Sequence, residues 1–334
     1  MLPAPLLLIT NGDVAAALLR QAVPGAEVLP WRDVLADGPV PMVPTLAELS
    51  EIRADFLASK GWGDAQALRQ IFEARNRGLE HHEMFDQVIL WFEHDLYDQL
   101  QLIQILDWFA DRDLGERLTL VQTQDFIGRR SVEDIAELRV LETTVSAEQL
   151  ELSQIAWRAF REPEPFDWMA LLDEQTEALP HLEAAVRRLL QELPDAASGL
   201  SRTERAMLEA VRDGVDKPAE LFSAVQDQEA APFMGDWSFW DRLDGIAAGP
   251  SALLTGLDDM RFQPDWPDEI RDAYFERQLA LSDFGEDVLA GRGDFAERAE
   301  IDRWLGGTHI TPESLWRWDG QASRLIAPEN DQAF

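Results

Sequence analysis

The feature that most constrains the fold is an apolar run that ends abruptly in ionisable residues. Residues 88–92 are all apolar, and Glu93, His94 and Asp95 follow them directly. Over residues 100–109, Leu, Ile and Phe recur at the spacing of an amphipathic helix. This order is typical of a buried strand whose carboxyl end leads into a helix, and ligands bind at such ends in open α/β sheets. The sequence therefore predicts a site where this strand ends.

Three further strand-like runs have the same organisation, and helical patterns separate them. They lie at residues 6–10, 27–30 and 118–122. The polar or aromatic residues that follow them are Asn11, Gly12 and Asp13, then Trp31, Arg32 and Asp33, and finally Gln124 and Asp125. Strands that alternate with helices predict an α/β domain over residues 1–145 with a parallel, Rossmann-like sheet. Because parallel strands end at the same edge of a sheet, we expect these polar residues to converge there.

A helical connector is predicted between this domain and the rest of the chain. Residues 146–198 contain three helical patterns, at 147–160, 166–177 and 181–193. The Asp-Ala-Ala-Ser-Gly sequence of residues 195–199 is typical of a linker.

The last part of the chain is predicted to be a winged-helix-like domain, over residues 199–334, with an aromatic-rich tail. Ser201 and Glu204 form a capping-box pattern that begins the first of three helices. Two short strand patterns follow, separated by a Gly-, Asp- and Pro-rich loop over residues 256–278. The second and third helices are acidic, which favours a protein partner or a homo-oligomer over DNA.

Composition and charge exclude several classes of protein. The chain carries 63 acidic and 29 basic residues, a net charge of −34, and an acidic surface repels the phosphates of nucleic acid. It contains no cysteine, which excludes disulfides, thiol catalysis and cysteine-ligated metals. No apolar run approaches the roughly 20 residues that span a bilayer, and the first residues lack the basic segment of a signal peptide. We therefore expect a cytoplasmic protein that has no membrane partner.

The turn after the first strand is suited to an anion. Asn11, Gly12 and Asp13 lead into a helix whose first backbone N–H groups have no intrahelical partner, which makes a natural phosphate seat. A single glycine is not a dinucleotide fingerprint. The alternative is an ordinary turn in which Asp13 caps the helix. Arg32 can clamp a phosphate or carboxylate, or it can pair with Asp33.

The residues at the strand ends can also serve catalysis. Asp13, Glu93 and Asp95 are candidate oxygen ligands for Mg²⁺ or Mn²⁺. In an enzyme, Glu93, His94 and Asp95 are the catalytic candidates, and His94 can move protons near neutral pH. The candidate ligand-binding residues are Asn11, Gly12, Asp13, Trp31, Arg32, Asp33, Tyr97, Gln124 and Asp125. The structural alternative is that Asp95 or Asp98 caps the following helix and that His94 is satisfied at the strand end.

Several segments resemble a known bacterial family. They are the Ile-Thr-Asn-Gly-Asp run of residues 9–13, the Trp-Arg-Asp-Val-Leu run of 31–35 with Asp-Gly-Pro at 37–39, and residues 91–100. These segments resemble the domain-of-unknown-function family numbered eighteen thirty-five, and residues 233–239 and 301–307 resemble its accompanying C-terminal region. The resemblance implies no settled activity. Many members of that family have a histidine directly before the Ile-Thr-Asn-Gly-Asp run, where this chain has Leu8. If that histidine is catalytic in the family, the resemblance does not imply enzyme activity for this chain.

Three functions are compatible with these features. The first is a protein that binds a phosphate-bearing or nucleotide-like small ligand in the α/β domain and signals to a partner. The second is a metal-assisted hydrolase or transferase acting on a phosphorylated or nucleotide substrate. The third is a winged-helix transcriptional regulator, which the charge balance disfavours.

Overall fold

A five-stranded, mostly parallel sheet forms the centre of the first part of the chain. The computed structural model describes residues 5–258 and 260–328. In chain order the strands are β1 (Leu6–Thr10), β2 (Glu27–Pro30), β3 (Gln87–Phe92), β4 (Leu118–Gln122) and β5 (Thr143–Thr144). Their spatial order is β2-β1-β3-β4-β5, with β1 to β4 parallel and β5 antiparallel. The predicted α/β class and the four predicted strands are confirmed, and β5 is an addition to them.

Helices cover both faces of this sheet. They are α1 (Asp13–Ala22), α2 (Leu46–Ser59), α3 (Ala65–Glu80), α4 (Leu96–Ala110) and α5 (Val132–Leu138). Successive residues of a strand point to opposite faces of its sheet. Leu7 and Ile9 of β1 therefore pack in one core with Leu102 of α4, whereas Leu8 packs in a second core with Leu19 of α1. The result is a three-layer arrangement.

The connector helices pack against the same sheet. They are α6 (Ala147–Arg161), α7 (Phe166–Ala170) and α8 (Leu182–Leu190). Trp157 and Phe160 of α6 and Leu189 of α8 are buried in the core on the α4 side of the sheet. These helices therefore enlarge the core of the α/β part.

The helix predicted over residues 166–177 ends earlier than expected, at Ala170. The backbone N–H groups of Leu172 and Asp173 donate to carbonyls three residues back, at Met169 and Ala170. Such bonds tighten the last turn and end a helix. The prediction is wrong beyond residue 170.

A second hydrophobic core organises the C-terminal part. Its helices and first strand pair are α9 (Arg202–Arg212), α10 (Pro218–Gln226), α11 (Asp236–Ala247), β6 (Leu254–Thr255), α12 (Asp268–Phe275), β7 (Ala280–Leu281) and α13 (Asp283–Leu289). Met207 of α9, Leu221 of α10 and Leu243 of α11 are buried together there. In the residues that the structure describes, no helix is both long and apolar enough to cross a bilayer.

The loop predicted over residues 256–278 contains a helix, α12, so that prediction is wrong in part. Pro267 precedes the helix, and Asp268 and Glu269 occupy its first turn. Acidic residues at a helix N-terminus complement the helix dipole. Tyr274 is buried in the second core and anchors the helix.

The aromatic tail packs against the α/β part. Its strands are β8 (Arg303–Leu305), β9 (Thr308–Ile310), β10 (Arg317–Asp319) and β11 (Arg324–Ile326). Trp316 and Trp318 are buried in the core on the α4 side of the sheet. The turn between β8 and β9 fits tightly, because a Cβ at Gly306 would lie 2.0 Å from the carbonyl oxygen of Phe160.

The strand order fixes where a ligand can bind. β1 leads through α1 to β2 on one side, whereas β3 lies on the other side of β1. Where the strand order reverses in this way, the loops that leave two neighbouring strands run in opposite directions. A crevice then forms between the carboxyl ends of those two strands. In this protein the crevice lies between the ends of β1 and β3.

Candidate functional site

The ends of β1 and β3 bring two predicted segments together. Thr10 pairs with Trp91 in the sheet, so the residues that follow each strand are neighbours. The Asn11 Nδ2 donates to Asp98 Oδ2 at 2.7 Å, and the Tyr97 hydroxyl donates to the Asn11 carbonyl at 3.2 Å. The first turn of α4 is therefore bound directly to the turn that begins α1.

A cleft of about 380 Å³ lies at this position. Its walls come from the α1 turn, the end of β3, and the segment after β4. The lining residues are Asn11, Gly12, Asp13, Val14, Ala15, Glu93, Tyr97, Phe126, Gly128 and Arg129. Five of the sequence-predicted site residues are among them, which are Asn11, Gly12, Asp13, Glu93 and Tyr97. The volume is in the range of about 300–1,000 Å³ that is common for small-ligand sites.

Three buried carboxylates lie beside the cleft. Glu93, Asp95 and Asp98 each offer an oxygen, and these oxygens lie within 4.8 Å of one another. We call these three residues the acidic group. The sequence predicted Asp13, Glu93 and Asp95 as the candidate metal ligands. In the structure Asp98, and not Asp13, lies with Glu93 and Asp95.

Backbone amides hold the acidic group in place. Asp95 is the N-cap of α4, where its Oδ1 accepts from the Asp98 N–H at 3.2 Å. The Asp98 Oδ1 accepts from the Glu93 N–H at 2.6 Å, and the Glu93 Oε1 accepts from the Ile127 N–H at 2.8 Å. Asp95 therefore has the capping role that the structural alternative gave it, and it also belongs to a cluster of charges.

Burial raises the pKa of every carboxyl in the acidic group. For Asp95, burial and then the charge of Glu93 raise the pKa from 3.8 to about 7. For Asp98, burial and the charges of Asp95 and Glu93 raise the pKa well above its ordinary value. Burial also raises the pKa of Glu93, against hydrogen bonds from the Ile127 N–H and the Asn11 amide. The group can therefore retain protons near neutral pH or exchange them for a cation.

His94 lies near the acidic group but does not line the cleft. Its ring is 5.3 Å from Phe126 and 6.0 Å from His181, measured between centroids. Its Nδ1 is buried and has no hydrogen-bond partner among the described residues. Burial lowers the pKa of His94, so the imidazole is neutral at physiological pH and can accept a proton.

Asp13 and Arg32 bind each other at the rim of the cleft. The Arg32 Nε and Nη2 donate to the two carboxylate oxygens of Asp13 at 2.7 and 2.6 Å. This pairing lowers the pKa of Asp13. Sequence reasoning considered Asp33 as the partner of Arg32, and the structure shows Asp13 in that role.

Trp31 and Asp33 are buried away from the cleft. The Asp33 carboxylate lies 2.9 Å from Arg53 Nε and 3.6 Å from Arg75 Nη1, with both arginines buried. The Trp31 Nε1 donates to Gln104 at 2.8 Å. The Trp31 side chain therefore holds the loop after β2 against α4, and the Asp33 side chain holds it against α2 and α3.

The segment after β4 contributes residues that sequence reasoning did not select. Gln124 and Asp125 are exposed and do not line the cleft, and Asp125 pairs with Arg130. Arg129 lines the cleft, lies 4.6 Å over the ring of Phe126, and forms no ion pair with a described residue. The Gly-Arg-Arg sequence that follows the strand end was the available signal.

The fold and the site define a mixed α/β protein with a cleft where the strand order of a mostly parallel sheet reverses. In comparisons with known proteins, no protein-family model matches the chain and no curated protein matches it significantly. Because a fold alone does not imply a function, the residues of the cleft carry the functional conclusion.

Proposed function

We propose that the protein binds a phosphate-bearing or nucleotide-like small ligand in this cleft and signals its presence to a partner. One observation carries the proposal. The cleft combines the uncapped N-terminus of α1 with the guanidinium of Arg129, which has no ion-pair partner among the described residues. Both groups attract an anion, and both line one cavity.

The α1 N-terminus is free to bind an anion. Gly12 is the N-cap and supplies no side-chain acceptor for the first amides. The backbone N–H groups of Asp13, Val14 and Ala15 therefore have no acceptor within the helix, and they are the donors that an anion can use. The Asp13 carboxylate would oppose an anion, but the bidentate bonds from Arg32 compensate its charge.

The remaining walls suit the organic part of such a ligand. The Arg129 guanidinium lies over the Phe126 ring, and both residues line the cleft, where a sugar or base can pack against them. Glu93 and the Asn11 side chain supply polar groups that can receive or donate hydrogen bonds. The cleft therefore favours a phosphate ester over a free inorganic anion.

Calorimetric titration with inorganic phosphate and adenosine monophosphate tests the proposal. Arg129→Gln should weaken binding by about tenfold, because a hydrogen bond to a charged group contributes about 1.5–3 kcal/mol. Arg130→Gln is the matched control, since Arg130 is adjacent in sequence but is paired with Asp125 outside the cleft. The proposal fails if neither compound binds, or if both variants weaken binding equally.

A second function, metal-assisted hydrolysis or transfer on a phosphorylated or nucleotide substrate, is supported by the acidic group. Three carboxylate oxygens within 4.8 Å of one another are a suitable ligand set for Mg²⁺ or Mn²⁺. We expect Mn²⁺ binding, followed by electron paramagnetic resonance, to weaken at least tenfold in Asp95→Asn and to be unchanged in Asp125→Asn. An absence of Mn²⁺ binding at pH 8, where the acidic group is more fully ionised, would exclude this function.

We also propose that the C-terminal part is a winged-helix-like module that contacts a protein partner or a second copy of the chain. Three helices followed by the antiparallel pair β6–β7 support that interpretation. Light scattering with and without adenosine monophosphate tests self-association. The family resemblance and the cytoplasmic location stay predictions, as does the third function, a DNA-binding regulator, which the acidic charge still disfavours.

A further inference from the structure

The C-terminal module meets the α/β part at a buried junction of charges. Arg242 of α11 lies between Asp37, in the loop after β2, and Glu192, just after α8. All three side chains are largely buried, with exposed fractions of 15%, 19% and 7%. This junction therefore contains one residue from each of the three parts of the chain.

Arg242 makes only long contacts at this junction, whereas Glu192 Oε1 also accepts from Arg188 Nη1 at 2.8 Å and from the Thr203 hydroxyl at 2.6 Å. The Arg242 Nη2 lies 3.9 Å from Asp37 Oδ1 and 3.7 Å from Glu192 Oε2, both longer than a hydrogen bond. The Glu192 Oε2 has no hydrogen-bond partner among the described residues. A cavity of about 10 Å³, bordered by these three residues, Met234 and Ser238, remains between them. The two contacts of Arg242 are charge attractions without a hydrogen bond, so a small movement of α11 can weaken them.

Tyr97 separates the junction from the ligand cleft. It lines the cleft beside Asn11 and Glu93, and it also lines the small cavity beside Asp37 and Arg242. Its hydroxyl donates to the Asn11 carbonyl, which ties the ring to the turn that begins α1. Tyr97 is therefore a lining residue of both spaces.

We infer that occupancy of the cleft is communicated through Tyr97 to the docking of α11 on the α/β part. The inference rests on the proposed function and names the regulation of the same site. A ligand packed against Tyr97 stops the ring from moving away from the junction, so the ligand-bound protein holds α11 more firmly. By linkage, the factor by which the ligand strengthens docking is also the factor by which docking strengthens ligand binding, so a variant that loses docking should lose that factor of affinity.

Hydrogen exchange of the full chain, with and without saturating inorganic phosphate or adenosine monophosphate, tests the coupling. We expect exchange over α11 to slow about fivefold or more on ligand binding, the lower end of typical coupling between sites. The amides of α13, in the same module but away from the junction, should be unchanged. Binding without slower exchange over α11 overturns the coupling and leaves the proposed function intact. If neither compound binds, the proposed function fails and this inference fails with it.

Two variants test the reverse direction. Arg242→Gln should weaken binding of the same compounds about fivefold. Lys60→Gln is the matched control, because Lys60 also joins the α/β part to α11, through Asp241 at 2.8 Å, but at an exposed position outside the junction. If Arg242→Gln does not fold, Ser238→Ala replaces it, because the Ser238 hydroxyl of α11 is a hydrogen-bond partner of the Asp37 carboxylate. Equal affinities in wild type and the junction variant, or equal losses in both variants, contradict coupling through Tyr97.

Discussion

Replacing Asp95 with Asn should stabilise the protein at pH 8 and have little effect near pH 4. In the folded protein burial and the charge of Glu93 raise the pKa of Asp95 from 3.8 to about 7. The folded state therefore keeps a proton that the unfolded chain loses near pH 4. Because the folded state binds more protons across this window, the free energy of unfolding falls as the pH rises from 4 to 7.

The size of the effect follows from the same pKa values. The rise in the pKa of Asp95 from 3.8 to about 7 lowers the free energy of unfolding at high pH by about 4 kcal/mol, since one pKa unit is worth about 1.4 kcal/mol. Asn has no charge to bury, and its side-chain oxygen can still accept the Asp98 N–H that Asp95 accepts now. Relaxation of the surroundings reduces the gain, so we expect Asp95→Asn to raise the free energy of unfolding at pH 8 by about 2–4 kcal/mol.

Urea denaturation, followed by tryptophan fluorescence between pH 5 and pH 8, measures this directly. The wild type should lose stability across that range, and Asp95→Asn should lose less. Asp64→Asn is the matched control, because Asp64 caps α3 in the same way but is exposed. It should change stability by less than about 0.5 kcal/mol. A variant of Asp95 that is less stable than wild type at pH 8, or equally pH-dependent, would refute the electrostatic reasoning.

Two further substitutions test the parts that position the site. Arg53→Met leaves the buried Asp33 without its 2.9 Å partner, so the urea midpoint should fall by the equivalent of about 3–5 kcal/mol; a loss below about 1 kcal/mol would contradict this. Gly306 has a φ of +60°, and Gly306→Ala puts a Cβ 2.0 Å from the Phe160 carbonyl oxygen. The free energy of unfolding, measured by thermal unfolding, should therefore fall by about 2 kcal/mol or more. An unchanged melting temperature would show that the β8–β9 turn is not held against α6.

The sequence determined the elements that depend on local patterns. The four parallel strands lie within one residue of the segments predicted for them, because a buried strand needs a short, largely apolar segment between turn residues. The capping box predicted at Ser201 marks a true helix start, because the side chains of Ser201 and Glu204 bond each other's backbone N–H groups, and the structure shows a second box at Ser146. The polar ends of β1 and β3 also meet, since parallel strands end at one edge of the sheet.

Tertiary structure decided which polar residues share the cleft. Asp33 follows a strand as closely as Asp13 does, yet Arg53 and Arg75 draw it into the interior. Asp98 reaches the acidic group from the first turn of α4, and Arg129 reaches the cleft from the segment after β4. The direction of a side chain beyond a strand end depends on the path of its loop. That path is set by partners far away in sequence, which local patterns do not encode.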